Sequence, residues 1–223
     1  MSSRTFVIGD VHGCALTLQH LIFKIIRLRN TDRLYFLGDL IDRGPRSKEV
    51  IDTIMRLQSA GYFIRSIRGN HEEMLLDACR NRDRFLLWLE NGGAATLKNF
   101  AVEDACEIPI LYRNFMAALP FYILLDNYVL CHAGINCMAA DPFADTDAML
   151  WSRDIPVIPE RIGNRRIICG HTVHTITEIS KSLESDRISL DSGCVFTGGS
   201  SFGNLVALEI GSMALYHTSN LDT

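Results

Sequence analysis

The chain has 223 residues, 48% hydrophobic and 22% charged, with a formal net charge of −4. That mixture excludes a disordered chain, and the acidic balance without a basic stripe argues against a nucleic-acid surface. The length suits one domain, 1–223, with a well-buried core.

Taken from the N-terminus, residues 4–9 read as a short buried strand, "FVIG" being its apolar part. The run is too short for a signal-peptide core, and no run approaches the ~20 residues that span a bilayer. Seven cysteines without a CxxC pair read as scattered thiols of a reducing compartment, so a cytoplasmic protein without membrane partners is expected. Leu18, Leu21, Ile22, Ile25 and Ile26 follow at helical spacing. "RLYFLGD" (33–39) predicts a second strand. Pro45 and Ser47 then precede a helix marked by Val50, Ile54 and Leu57, with Ser47 as its expected cap. "YFIRSIRGN" (62–70) predicts a third strand, and the alternation of strand and helix predicts an α/β half with parallel strands. Residues 71–119 read as a mainly helical insertion broken at "ENGGAAT". Further strands are expected at 121–126, 128–133, 166–170, 187–191, 204–210 and 213–217. The expected architecture is two stacked sheets flanked by helices.

Five apolar runs end on a residue that can bind a metal. "FVIG" precedes Asp10 and His12, "LYFLG" Asp39, "RSIRG" Asn70, "YVLC" His132 and "IICG" His171. The first three ends are 29 and 31 residues apart, and one βα unit is about 30 residues long. Successive ends therefore fall on one edge of the sheet, where open α/β sheets bind ligands. Alone, Asp10 reads as a turn residue, Asn70 as a helix cap, and each histidine as a satisfied half-buried ring. Five independent coincidences of this kind are improbable. Three imidazoles, two carboxylates and an amide oxygen suit Mn²⁺, Fe or Zn²⁺. They are too many for one ion with an open position, which points to two ions ~3.5–4 Å apart sharing a carboxylate. His20, His174 and His217 lack this context. "GDLIDRG" adds Asp42 and Arg43, "GNHEE" adds His71, and "LWSRD" adds Arg153. A carboxylate partner would keep His71 basic at a helix start, and Asp42 is the nearest candidate by motif. Alone, Asp42–Arg43 would be a weak loop salt bridge, and His71 and Arg153 plain helix and loop residues. No cysteine opens a CxxxxxR nucleophile loop.

The ordered series "GDVHG", "GDLIDRG", "GNHE", "HAG" and "GHT", spanning residues 9–172, resembles the metal-dependent phosphoprotein phosphatases among the calcineurin-like metallophosphoesterases. "WLENGG", "LWSRD" and "DSGCVFTGG" extend the similarity to about residue 199, towards the branch of the bacteriophage lambda phosphatase and bacterial relatives. "HAG" replaces the eukaryotic His-Gly-Gly, which fits the bacterial or phage type. The resemblance implies a four-layer αββα sandwich with two mixed sheets. It implies one metal on Asp10, His12 and Asp39, and a second on Asp39, Asn70, His132 and His171. His71 would be general acid with Asp42 as partner, Arg43 and Arg153 would grip phosphoryl oxygens, and Mn²⁺ would be the usual ion. The expected chemistry is phosphomonoester hydrolysis by a metal-activated hydroxide, on phosphoserine and phosphothreonine in proteins, with phosphotyrosine as an extension. The alternatives are symmetrical hydrolysis of a dinucleoside polyphosphate such as diadenosine tetraphosphate, and a non-catalytic phosphoesterase-fold binding module, which retained ligands disfavour. Oligomeric state is not encoded legibly.

Overall fold

A computed structural model describes residues 3–196 and 201–222. The last three residues of "DSGCVFTGG", 197–199, lie outside them. Strands β1 (Thr5–Ile8), β2 (Arg33–Phe36) and β3 (Phe63–Ser66) run parallel; β8 (Asn204–Glu209) pairs antiparallel with β1, and β9 (Ala214–Ser219) with β8. They form a five-stranded mixed sheet in the order β3-β2-β1-β8-β9. The second sheet, order β4-β5-β6-β7, contains β4 (Tyr122–Leu124), β5 (Tyr128–Cys131), β6 (Arg166–Cys169) and β7 (Arg187–Ser189); β4 is antiparallel to β5, the rest parallel.

Side-chain alternation sorts residues into layers. Val7, Tyr35, Leu130, Ile168, Ile188, Val206 and Leu208 fill the space between the sheets. Phe6, Ile8, Leu34 and Phe36 point the other way, under helices α1 (Ala15–His20) and α2 (Ser47–Ser59). Val129, Cys131, Ile167 and Cys169 face a third cluster with Ile135, Cys137 and Ile162. Both faces of the central strands are thus covered, which is why these runs are almost wholly apolar. The four-layer expectation is met, although the outer cover of the second sheet is largely irregular chain. Between the two halves lie α3 (Asn70–Ala78), α4 (Arg82–Trp88), α5 (Ala94–Phe100) and α6 (Ile110–Ala117). Their Leu75, Trp88, Leu97 and Met116 join the core of the first sheet. Two short helices, α7 (Thr146–Trp151) and α8 (Ile176–Ser182), complete the described α-helices, and no described helix is long and apolar enough to cross a membrane.

Two expected caps are corrected. Ser47 is not the cap of α2: Arg46 holds that position, and the Ser47 hydroxyl accepts the N–H of Asp42 at 3.0 Å. Asn70 is the first residue of α3, not its cap; Gly69 caps, and the Glu72 carboxylate takes the Gly69 N–H at 2.8 Å. At Ser47 the Asp42 N–H takes the hydroxyl from its capping role; at Asn70 the cap falls one residue earlier and is closed by Glu72 in the same first turn.

The N-terminus is fastened by Asp32, a carboxylate with no side-chain exposure that accepts from Arg4 Nη2 at 2.5 Å and from the Arg29 N–H at 2.9 Å. Burial opposes its charge, but the Arg4 guanidinium and the backbone donors outweigh it and hold the carboxyl below its ordinary range. A depressed carboxyl stabilises the fold above its unfolded pKa, and the contribution disappears as pH falls through the folded pKa. Asp32→Asn should therefore cost roughly 2 kcal/mol at neutral pH. In urea titrations the two proteins should converge as pH falls through the depressed folded pKa of Asp32.

Candidate active site

The ends of β1, β2, β3, β5 and β6 meet at one edge of the sandwich and deliver Asp10, Asp39, Asn70, His132 and His171. His12 follows β1 by one tight turn. Cross-sheet bonds fix the meeting point: the His171 N–H donates to Asp10 Oδ2 at 3.0 Å, and His132 Nδ1 to the Leu37 carbonyl at 2.8 Å. Ten described non-glycine residues have left-handed φ, and five of them are His12, Asp39, Asp42, Arg43 and His171. Such backbone is costly, and surrounding structure must hold it in place.

All six expected ligands are brought together. His12 Nε2 lies 3.5 Å from Asp39 Oδ2, and His132 Nε2 lies 3.4 Å from Asp39 Oδ1 and 2.8 Å from Asn70 Oδ1. His171 Nδ1 lies 3.1 Å from the same amide oxygen. Two groups of close-set donor atoms, Asp10–Asp39–His132 and His12–Asp39–His71, have Asp39 in common.

Electrostatics favour a cation here. Nδ1 of His12 and His132 must donate to backbone carbonyls, Ile41 and Leu37, so each neutral ring turns its Nε2 lone pair inward. Burial holds His12, His132 and His171 below the ordinary histidine range, His171 down to about 3, which keeps the lone pairs free. At 2.8 Å the His132 lone pair faces the Asn70 carbonyl oxygen, acceptor against acceptor. Asp10 Oδ1 is buried with no hydrogen-bond partner among the described residues. Burial, Asp191 and Asp39 push the Asp10 carboxyl well up, a strain that nearby positive charge would relieve. Burial also opposes the Asp39 charge, but His132, His71 and His12 outweigh it and hold that carboxyl down. These donors fit divalent cations of the Mn²⁺, Fe or Zn²⁺ kind.

Beside them, His71 Nδ1 lies 2.8 Å from Asp42 Oδ2, and its Nε2 is buried, has no hydrogen-bond partner among the described residues and lies 3.9 Å from Asp39 Oδ2. Burial disfavours the imidazolium, but Asp39 and the bond to Asp42 prevail and raise its pKa. Arg43 reaches into the cluster, with Nη1 2.7 Å from His12 Nε2. Arg153 stands at the exposed rim, where Nη1 donates to Thr172 Oγ1 at 3.3 Å.

Two buried acids escape the motif reading. Asp191 follows the alternating strand segment "RISL" (187–190), and burial with the charge of Asp39 pushes its carboxyl up to about 6. Glu72 accepts the N–H groups of Gly69, Asp39 and Leu40 at 2.7–2.9 Å and so shapes the Asp39 turn. Burial and Asp39 push its carboxyl up to about 7. Glu72→Ala strands these donors and should cost about 3 kcal/mol or more in urea unfolding.

A family model described as calcineurin-like phosphoesterase matches residues 3–190. The chain belongs to the calcineurin-like phosphoesterase family. Serine/threonine-protein phosphatase 2 of Salmonella typhimurium is 31% identical to this phosphoesterase over 207 residues, 88% of this chain and 90% of that protein. The symmetrical bis(5'-nucleosyl)-tetraphosphatase of Vibrio campbellii is 23% identical over 203 residues, 84% of this chain and 71% of that protein. A solved serine/threonine phosphatase from Saccharomyces cerevisiae, with similarity to human PP5, superposes with a TM-score of 0.69 at 14% identity, covering 100% of this chain and 81% of that one. The last comparison shows the shared fold alone. This phosphoesterase is a metal-dependent phosphatase of the phosphoprotein phosphatase type.

Proposed function

We propose that this phosphatase removes phosphoryl groups from phosphoserine and phosphothreonine in proteins, with phosphotyrosine as a further substrate. The observation that carries the hydrolytic reading is the convergence of Asp10, His12, Asn70, His132 and His171 around Asp39, with the His71–Asp42 pair beside them. The protein-phosphatase reading is supported by the near full-length similarity to the Salmonella phosphatase.

In this reading Asp10, His12 and Asp39 hold one divalent cation, and Asp39, Asn70, His132 and His171 a second. Both close-set donor groups contain Asp39, which supports a shared carboxylate; one joins it with Asp10 and His132, the other with His12 and His71. Bound there, the cations, with Mn²⁺ the first choice and Fe or Zn²⁺ the alternatives, supply charge neutralisation and a nucleophilic water at neutral pH. Arg43 and Arg153, one inside the cluster and one at its rim, grip phosphoryl oxygens and offset charge that grows in the transition state. His71, with Nδ1 held by Asp42, presents Nε2 as the proton donor to the leaving oxygen. Such help is worth ~10²–10⁴ in rate. A cytoplasmic setting is supported by seven unpaired thiols.

A second reading, symmetrical hydrolysis of a dinucleoside polyphosphate, is favoured by the similarity to the Vibrio tetraphosphatase over 84% of the chain. One assay with Mn²⁺ separates them: kcat/KM on a phosphoserine peptide, a phosphotyrosine peptide and diadenosine tetraphosphate. The first reading expects the phosphoserine peptide to lead. A preference for the dinucleotide by tenfold or more would replace it with the second.

A further inference from the structure

Asp42 is buried deep beneath the site, and its carboxylate does not rest on His71 alone. Trp88 Nε1 donates to Oδ2 at 2.7 Å, the same oxygen that His71 Nδ1 meets at 2.8 Å. Thr96 Oγ1 donates to Oδ1 at 2.6 Å. The Thr96 hydroxyl also lies 3.1 Å from the Asp42 N–H and 3.0 Å from Ser47 Oγ, which itself accepts the Asp42 N–H. Because the Thr96 proton goes to Asp42, Ser47 must donate to Thr96. Both carboxylate oxygens and the peptide nitrogen are therefore engaged, and Trp88, Thr96 and Asp42 are all fully buried.

The "WLENGG" segment is shaped around this clamp. Gly92 has a φ of +106°, and its carbonyl accepts the Arg43 N–H at 3.1 Å. A Cβ on Gly93 would strike the Trp88 ring. One turn between α4 and α5 thus sets the Trp88 indole against Asp42 and the Gly92 peptide against Arg43.

We propose that Trp88 and Thr96 are positioning residues for proton donation: they fix the plane of the Asp42 carboxylate, and through it the ring of His71. The inference rests on the general-acid reading of His71. With neither oxygen free to rotate, the Asp42–His71 bond has one geometry, and Nε2 stays directed at the phosphoester. Small misplacements of a reacting group can cost about 10² in rate. Alkyl leaving groups, which need the proton, should feel the loss; aryl leaving groups should not.

The test is steady-state kinetics of the metal-loaded enzyme on an alkyl and an aryl phosphate, for Trp88→Phe, Thr96→Val, Thr96→Ser and His71→Asn, with Tm recorded for each. Trp88→Phe and Thr96→Val should lower kcat on the alkyl ester by about 10–100-fold, with KM changed less than about twofold and aryl turnover reduced less than about threefold. Thr96→Ser, which keeps the hydroxyl, should restore most of the alkyl activity. In an Asp42→Asn background Trp88→Phe should have almost no further effect. Equal losses on both esters, or no loss on the alkyl ester, would overturn the inference while a selective loss in His71→Asn left the general-acid reading standing. A non-selective His71→Asn would instead remove that reading. If Trp88→Phe fails to fold, the Val and Ser variants of Thr96 decide the matter alone.

Discussion

Asp39→Asn is expected to lower metal occupancy at both positions and to reduce kcat by about 10²–10³-fold or more, as several kcal/mol of charge stabilisation is lost. Asp39 touches three histidines: Oδ2 lies 3.5 Å from His12 Nε2 and 3.9 Å from His71 Nε2, and Oδ1 lies 3.4 Å from His132 Nε2. An amide keeps the shape and can still accept the His71 N–H, which now bonds to Oδ1 at 3.1 Å. It removes the one negative charge the two donor groups share. The metal-free variant should fold with a lower Tm, because the histidines around Asp39 hold it in its charged form and that contribution is lost; the rise in Tm on adding Mn²⁺ should largely vanish, since a ligand stabilises only through its affinity for the folded state. Metal analysis by mass spectrometry checks the stoichiometry directly. Full occupancy of both positions would remove Asp39 from its bridging role.

His71→Asn should separate substrates by leaving group. On an alkyl phosphate kcat should fall by about 10²–10⁴, the value of general-acid help; on an aryl phosphate, whose leaving group departs without a proton, the fall should be much smaller. The structure motivates this through a buried Nε2 with no partner among the described residues and an Nδ1 bound to Asp42. Comparable losses on both esters would show that His71 acts in binding or in organising the metals, not in donating a proton.

The fold was legible where one rule dominates. Strands β1, β2, β5 and β6 sit at the core of the sandwich, so their sequences are continuous apolar runs, and the first polar residue after each run marks the strand end. The ligands could be read for the same reason: a carboxylate or imidazole at such an end has no cheap explanation except a cation or a partner. Local capping failed at Ser47 because the hydroxyl that would serve the helix accepts the Asp42 N–H, and at Asn70 because the cap falls one residue earlier, on Gly69. Asp191 also follows a strand, but "RISLD" alternates polar and apolar residues and lacks the continuous apolar run that marks Asp39. Glu72, Trp88 and Thr96 could not be found that way. Glu72 sits where any first-turn acid would, and Trp88 and Thr96 lie 46 and 54 residues from the Asp42 they hold. Their roles exist only once α3, α4 and α5 have packed against the first sheet.

The central claim is that Asp39 lies between two cations. Anomalous diffraction at the manganese edge, from crystals grown with saturating Mn²⁺, tests it most directly. The account predicts two peaks flanking Asp39, one in reach of His12 and one in reach of Asn70, His132 and His171. A single peak, or peaks remote from Asp39, would contradict it.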